Sequence, residues 1–484
     1  MPPWIASFIF AIGIAGLFLL NREREVRTSK ALWLPVLWLL IVASRPMSVW
    51  LQMGPPRLPE EYLEGSPLDR NIYAVLLAAG IVVLLARQNT VVKVLRANGP
   101  LILFLFYCAV SISWSDYPEV AFKRWIKFLG DYVMILIVVT DSSQLSAIKR
   151  VLARVGFLLL PISILLIKYY PDLGRVYASH WDATVYYAGV TSDKNMLGMT
   201  CMVFGLGSVW RFLQELQSDK HTRRIRILIA HGAILAMVLW LFRMANSVTA
   251  FSCFLMAGTL LVATSLQLAR KPWIVHSLVV TMITVSASAL FLGVGSELVQ
   301  GLGRDTTLTG RTELWGQLLK LSANSILGTG FESFWLGNRV VKLWNIYWWQ
   351  PNESHNGYLE VYLNLGWIGV GLLAVILVTG YRSIVRLLNR EPEAARLCLA
   401  YFLVGVAYNF TEAAIRTTGL VWIAFALAIS LMRDLAFSNK RTFNENDALR
   451  SVSDPAIAMI PRTSRPGAIG SQKLPRGREL NRLG

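Results

Sequence analysis

One histidine stands where acid–base chemistry would be placed. His355 lies in Asn352-Glu353-Ser354-His355-Asn356-Gly357-Tyr358-Leu359-Glu360, just ahead of an apolar run. Ser354 or Asn356 is a suitable cap for a helix that starts there. The positive end of a helix disfavours imidazolium, so a histidine at this position tends toward the neutral form that a general base needs. Glu353 or Glu360 would orient the ring. Read alone, the same residue would also serve as a capping or interfacial histidine.

Cations form the second group. Arg243 closes an apolar stretch in Phe242-Arg243-Met244-Ala245-Asn246-Ser247, and Lys194 opens another in Ser192-Asp193-Lys194-Asn195-Met196-Leu197-Gly198. Lys123, Arg124 and Lys127 precede a further stretch, and Arg304 and Arg311 start a long polar loop. Snorkelling or an internal ion pair explains any one of them. Their gathering on one face suits a lipid-linked phosphate or diphosphate, whose oxygens the arginine fork bonds in pairs. No Asp-x-Asp occurs in the outward loops, no His/Cys set has metal-ligand spacing, and no glycine-rich loop sits between a strand and a helix. Metal-dependent transfer and nucleotide hydrolysis are therefore disfavoured, and no cofactor is expected. Cys108, Cys201, Cys253 and Cys398 each lie inside an apolar block and read as small buried residues rather than a disulfide framework.

What positions these groups is a membrane body. Of 484 residues, 55% are hydrophobic and 16% charged, against about 25% charged in soluble domains. A bilayer needs about 20 apolar residues per helix. Thirteen stretches qualify, near 3–20, 32–51, 71–86, 99–114, 126–140, 151–168, 195–213, 226–243, 247–268, 273–295, 358–381, 396–411 and 417–432. The net charge of +18 follows the rule that Lys and Arg stay on the cytoplasmic side. With the N-terminus outside, the inner loops and the tail hold 31 of the 47 basic residues and every short loop alternates correctly. This removes nucleic acid as the reason for the charge. The first stretch lacks the basic leader and cleavage site of a signal peptide and reads as a retained helix. The catalytic body is expected over 1–432, followed by a disordered basic cytoplasmic tail over 433–484. The large outer loop, about 297–357, carries an amphipathic helix over Thr312 to Ala323 with Leu314, Trp315, Leu318, Leu319 and Leu321 on or near one face. Trp335, Trp344, Tyr347, Trp348 and Trp349 suit a segment lying in the interface, which would roof a site or merely anchor the loop at its rim.

Three stretches carry a family likeness. Thr309-Gly310-Arg311-Thr312-Glu313-Leu314-Trp315, then Gly328-Thr329-Gly330-Phe331, mark where the loop begins. Ser354-His355-Asn356-Gly357-Tyr358-Leu359-Glu360, then Leu365-Gly366-Trp367-Ile368-Gly369, mark where it ends. Gly189-Val190 with Lys194-Asn195-Met196-Leu197-Gly198 precedes a middle helix. Over roughly 110 to 430 the chain resembles the O-antigen ligase and polymerase superfamily of bacterial inner membranes. The resemblance implies an all-α, polytopic, metal-independent membrane glycosyltransferase of GT-C-like architecture. It implies about 12–13 transmembrane helices and a large periplasmic loop. The donor would be an undecaprenyl-diphosphate-linked glycan and the acceptor a second glycan or a lipid. By motif, His355 matches the family's base and Arg311 one of its two diphosphate arginines, while Arg243 matches the second by its place at a helix end. Lys194 joins them as a further cation for the diphosphate. The family has about twelve spans with both ends inside, and the thirteen read here depart from it at the first. The Lys-Asn stretch is closer to exopolysaccharide polymerases than to ligases. A lipid-linked glycan flippase or transporter is the alternative from another class.

Overall fold

The computed structural model describes residues 1–23, 28–51, 65–177, 185–218, 221–266, 271–291, 308–322 and 324–435. Helix is found in each of the thirteen apolar stretches. Seven helices have the length and hydropathy of a membrane crossing: Pro3–Leu20, Pro67–Ala86, Gln144–Tyr169, Lys194–Leu216, Arg224–Ala245, Val248–Ser265 and Gly357–Leu387. An eighth is the pair Gln88–Ala97 and Gly99–Trp114, bent by 91°. The remaining helices are shorter or carry more charge. Pro392–Tyr408 is buried without a gap from Ala394 to Tyr408, and 420–435 is almost as enclosed. A helix enclosed by protein needs neither the length nor the uniform apolarity of one facing lipid. Pro3–Leu20 shows the opposite environment, exposing Trp4, Phe8, Ile9, Ile12 and Leu19.

Packing centres on Lys194–Leu216, which lies against His221–Ala245, Val248–Ser265, Gln144–Tyr169 and Pro392–Tyr408. The four cysteines are free and buried. Apart from helix there is a two-stranded antiparallel hairpin, Arg175–Tyr177 with Val185–Tyr187, a small departure from an all-α chain.

Cross-links mark two ends. At one, the Ser7 and Tyr170 hydroxyls lie 2.9 Å apart. At the other, Arg226 donates to the Leu19 carbonyl at 2.6 Å, and Arg211 pairs with Glu23 and, at 3.0 Å, with Glu215. Pro3–Leu20 therefore reaches from one end to the other.

Two expected elements differ. The stretch 32–51 breaks after Val42, because Pro46 has no N–H to continue the ladder. Arg45 at the break donates to the carbonyls of Leu173, Gly189 and Thr191 at 2.7, 2.8 and 2.9 Å, and its guanidinium lies 4.6 Å from the Trp50 ring centre. It thereby ties the segment ahead of Lys194 to the bundle. The stretch 87–98, read as a loop, is the helix Gln88–Ala97. Arg304 and the start of the long loop, and all of the tail beyond 435, lie outside the described residues.

Candidate active site

The end of the bundle that carries His355 is assembled around a broken helix. Gly357–Leu387 has non-helical backbone at Gly366, with φ 61° and ψ −165°. Only glycine adopts that region readily, and a Cβ there would collide with the Ile326 carbonyl. The break frees backbone groups, and the loop segment 324–330 takes them up. The amides of Trp367 and Ile368 donate to Ser325 and Ile326 at 2.9 and 3.3 Å, while those of Thr329 and Gly330 donate to Leu363 and Asn364 at 3.1 and 2.9 Å. Phe331 follows, its amide on the Ser111 hydroxyl at 3.0 Å and its ring 5.2 Å from that of Phe128. The Gly-Thr-Gly-Phe and Leu-Gly-Trp motifs are thus the two halves of one clip, which inserts the loop among the helices.

Beyond the clip the loop helix runs Leu308–Lys320. Leu314 and Leu318 are fully buried with Phe334, Leu343 and Leu363, and Trp315 and Leu321 pack against them. Each buried leucine contributes about 1.5–3 kcal/mol. Leu319 points outward, the one member of the expected face that does. Trp348 is 91% exposed, but Trp335 and Trp344 turn inward to donate to Glu360 and to the Pro351 carbonyl.

Glu360 is buried and holds this corner. It accepts from the Trp335 indole at 2.9 and 3.0 Å and from the Ser354 amide at 2.6 Å. Asn364, one turn on, donates to the Glu360 carbonyl at 2.9 Å and accepts the Phe334 amide at 3.0 Å. Glu360 thus fixes the residue before His355 rather than the ring itself. Asn356 is the helix cap, its side-chain oxygen accepting the amides of Tyr358 and Leu359 at 3.0 Å. His355, outside the cap, takes φ 51°, a left-handed backbone uncommon for a side chain of its size.

The ring meets two carboxylates. His355 Nδ1 lies 3.1 Å from Glu353 Oε1 and 3.3 Å from Glu412 Oε2. Arg416 bonds the other Glu353 oxygen at 2.7 Å. Arg311 donates to the Thr411 carbonyl at 2.9 Å and sits 3.9 Å from the other Glu412 oxygen. Burial alone would lower the histidine pKa. The two carboxylates outweigh it and push the ring up to about 9. Burial would raise Glu353, but Arg416 and then the histidine hold it down at about 2, and Glu353 in turn holds the Arg416 guanidinium above its usual range. This corrects the expectation of a neutral ring. A helix end offers about half a charge, whereas two carboxylates sit within hydrogen-bond reach, so the resting ring is imidazolium.

Other expected residues are placed differently. Lys194 is the first residue of its helix, where Asp193 accepts the amides of Asn195 and Met196 at 2.9 Å, and its Nζ lies 4.6 Å from the Tyr186 ring centre. It lines a cavity of about 420 Å³ shared with Asn352, Glu353, Glu412 and Arg416. Arg243 stands exposed in the last turn of His221–Ala245, and among the described residues it makes no hydrogen bond or ion pair with the His355 cluster. The chain following it does reach the cluster, since the Thr249 hydroxyl lies 3.3 Å from that of Thr411.

Glu412 and Arg416 were not singled out from the sequence. They occupy the turn 409–419 between two apolar helices. The available signal was an acid and a base four apart in a short turn between two apolar helices. Asp131 escaped notice too; fully buried, it accepts the Trp38 indole and the Thr418 amide at 2.8 Å each and anchors the same turn.

Glu353, His355 and Glu412 offer donor atoms within 4.8 Å of one another, a possible metal set. Arg416 and Arg311 already supply positive charge to those carboxylates, so a divalent ion would enter against two guanidiniums. The arrangement suits an organic anion and proton transfer better.

No family model matches the chain. It is similar to the exopolysaccharide production protein ExoQ of Rhizobium meliloti (strain 1021), 26% identical over 303 residues, covering 60% of this chain and 67% of that protein.

Proposed function

We propose that the protein is a bacterial inner-membrane glycosyltransferase of the O-antigen ligase and polymerase type. It moves a polyprenyl-diphosphate-linked glycan onto an acceptor hydroxyl at the periplasmic face. The observation that carries this reading is the sharing of Glu412 between His355 and Arg311, which sets a proton-transfer group beside an anion-binding one. The similarity to a protein of exopolysaccharide production supports an exopolysaccharide as the glycan, and the Lys-Asn stretch at Lys194 inclines the reading toward a polymerase. Seven helices of crossing length, or eight with the bent pair, together with the shorter buried helices among them, supply the membrane body, with the His355 end outward by the distribution of basic residues.

In this mechanism Arg311 and Arg243 receive the diphosphate, and Lys194 adds charge from the neighbouring cavity. The cations stabilise the leaving group as its negative charge develops. Glu353 and Glu412 hold Nδ1 of His355, which leaves Nε2 for the acceptor hydroxyl. A ring of pKa about 9 is a strong base that is seldom free. At pH 7 about one ring in a hundred is neutral, so base catalysis speeds up as the pH rises. The diphosphate leaves readily without a metal. A flippase would need its ionisable groups near mid-membrane, whereas His355, Glu412 and Arg416 lie beyond the ends of the long helices and Arg311 on the short loop helix.

The test replaces the wild-type gene with His355→Ala and analyses surface glycan and lipid-linked intermediates. Single repeat units accumulating on lipid identify a polymerase; polymer stranded on lipid identifies a ligase. Near-normal transfer at normal membrane abundance would overturn the base assignment.

A further inference from the structure

A second cavity adjoins the one beside Lys194. It has a volume of about 500 Å³ and shares Asn352, Glu353 and Arg416 with its neighbour. Clefts of roughly 300–1,000 Å³ are the size that holds small organic ligands. Its far wall is formed by Tyr73, Arg124, Lys127, Glu332 and Trp335.

The acids on this wall are already engaged. Glu353 is held by Arg416 and His355, Glu360 by Trp335 and Ser354, and Glu332 accepts the Thr417 amide at 2.5 Å. Asp193 caps its helix. Arg124 donates to the Glu332 carbonyl at 2.6 Å. Lys127 has no carboxylate within 4.0 Å among the described residues; its ammonium stands 5.0 Å from the Tyr73 ring centre. The cavity therefore offers one ammonium that no carboxylate closes on in salt-bridge contact, although Glu332, Asp69 and Asp131 act on it from farther away; Tyr73 lies beside it and Trp335 lines the same cavity. Aromatic faces suit the C–H surfaces of a sugar, and a single ammonium suits one carboxylate, whereas a diphosphate is better met by open arginine forks.

We infer that this cavity is a glycan subsite for a carboxylate-bearing sugar, a hexuronate unit of the substrate, with Lys127 as its charge partner and Tyr73 and Trp335 as its walls. The inference rests on reading the chain as a glycan transferase and specifies the class of glycan.

The experiment measures binding, which does not depend on transfer. Full-length protein in lipid nanodiscs is titrated with fluorescently labelled uronate-containing tetrasaccharides and their neutral counterparts. The inference expects the acidic sugars to bind at least tenfold more tightly. Lys127→Gln should abolish that preference, and Lys127→Arg should retain most of it, with thermal midpoints confirming that each variant is folded. Equal affinity for acidic and neutral sugars, or no binding of either, would overturn it. So would inorganic pyrophosphate displacing the acidic sugar from wild type but not binding Lys127→Gln, since the cavity would then be a phosphate site. The wild-type comparison decides the question even if a variant fails to fold. If His355→Ala still blocks transfer while acid preference is absent, only the subsite falls.

Discussion

The two ends of the bundle use charge in opposite ways. At the Arg211 end, charges close on one another. Arg211, only 4% exposed, is held by Glu23 and Glu215; Lys149 lies 3.8 Å from Glu393, and Arg87 lies 3.9 Å from Asp141. At the His355 end, one glutamate is divided between His355 and Arg311 and another between His355 and Arg416, while Lys127 and Lys194 lie over tyrosine rings. Closed pairs hold helices together. Shared carboxylates and cations resting on rings can exchange partners when an anion arrives.

The contrast can be broken most sharply with one substitution at each end. His355→Ala should slow glycan transfer by roughly 10²–10⁴-fold while leaving the thermal midpoint of the purified protein close to wild type. Arg211→Ala should do the reverse. It leaves Glu23 and Glu215, both mostly buried, without their cation and should cost up to about 3–5 kcal/mol of stability, read as a lowered thermal midpoint, with transfer per folded molecule retained. If both variants lose activity and stability together, the division between the ends is wrong.

Gly366→Ala comes next. It forces a left-handed backbone on alanine against the Ile326 carbonyl and should cost roughly 1–3 kcal/mol. Limited proteolysis should then cut the loop over 324–336 faster than in wild type, without faster cutting at the Arg211 end.

The last contrast is with pH, where activity and stability should move apart. The pKa of His355 is raised, so its contribution to stability is fully present below about 6.5 and is lost as pH climbs through about 9. That of Glu353 is depressed, so its contribution is present above about 4.5 and is lost as pH falls toward 2. Transfer needs the neutral ring and should rise by about tenfold per pH unit from neutrality, levelling near 9. A rate that falls over that range would make the imidazolium an acid rather than a reservoir for a base.

Hydropathy located the apolar helices, though not the polar ones Gln88–Ala97 and Asn338–Ile346, because apolar length is a local property that neighbouring residues display together. It could not register the break at Gly366, where the surrounding residues remain apolar and the cause is a loop segment some forty positions earlier. His355, Glu353 and Arg311 were legible as residue types beside a helix start or loop start. Glu412 was not, because it meets His355 across 57 positions and its own neighbourhood is hydrophobic. The same gap produced the wrong protonation state for the histidine: the helix end was visible in the chain, and the second carboxylate was not. Arg243 matched by position, but the described contacts leave it outside the cluster.

The clip at Gly366 also sets an order of assembly. Residues 324–330 are synthesised before 357–387, so their backbone partners are made after them. Phe331 finds Phe128 and Ser111 already made, but Phe334 must wait for Leu363 and Asn364. The clip is complete only when the two segments meet, and His355 gains its second carboxylate only once Glu412 has been made, so this corner is finished after its first residues rather than with them.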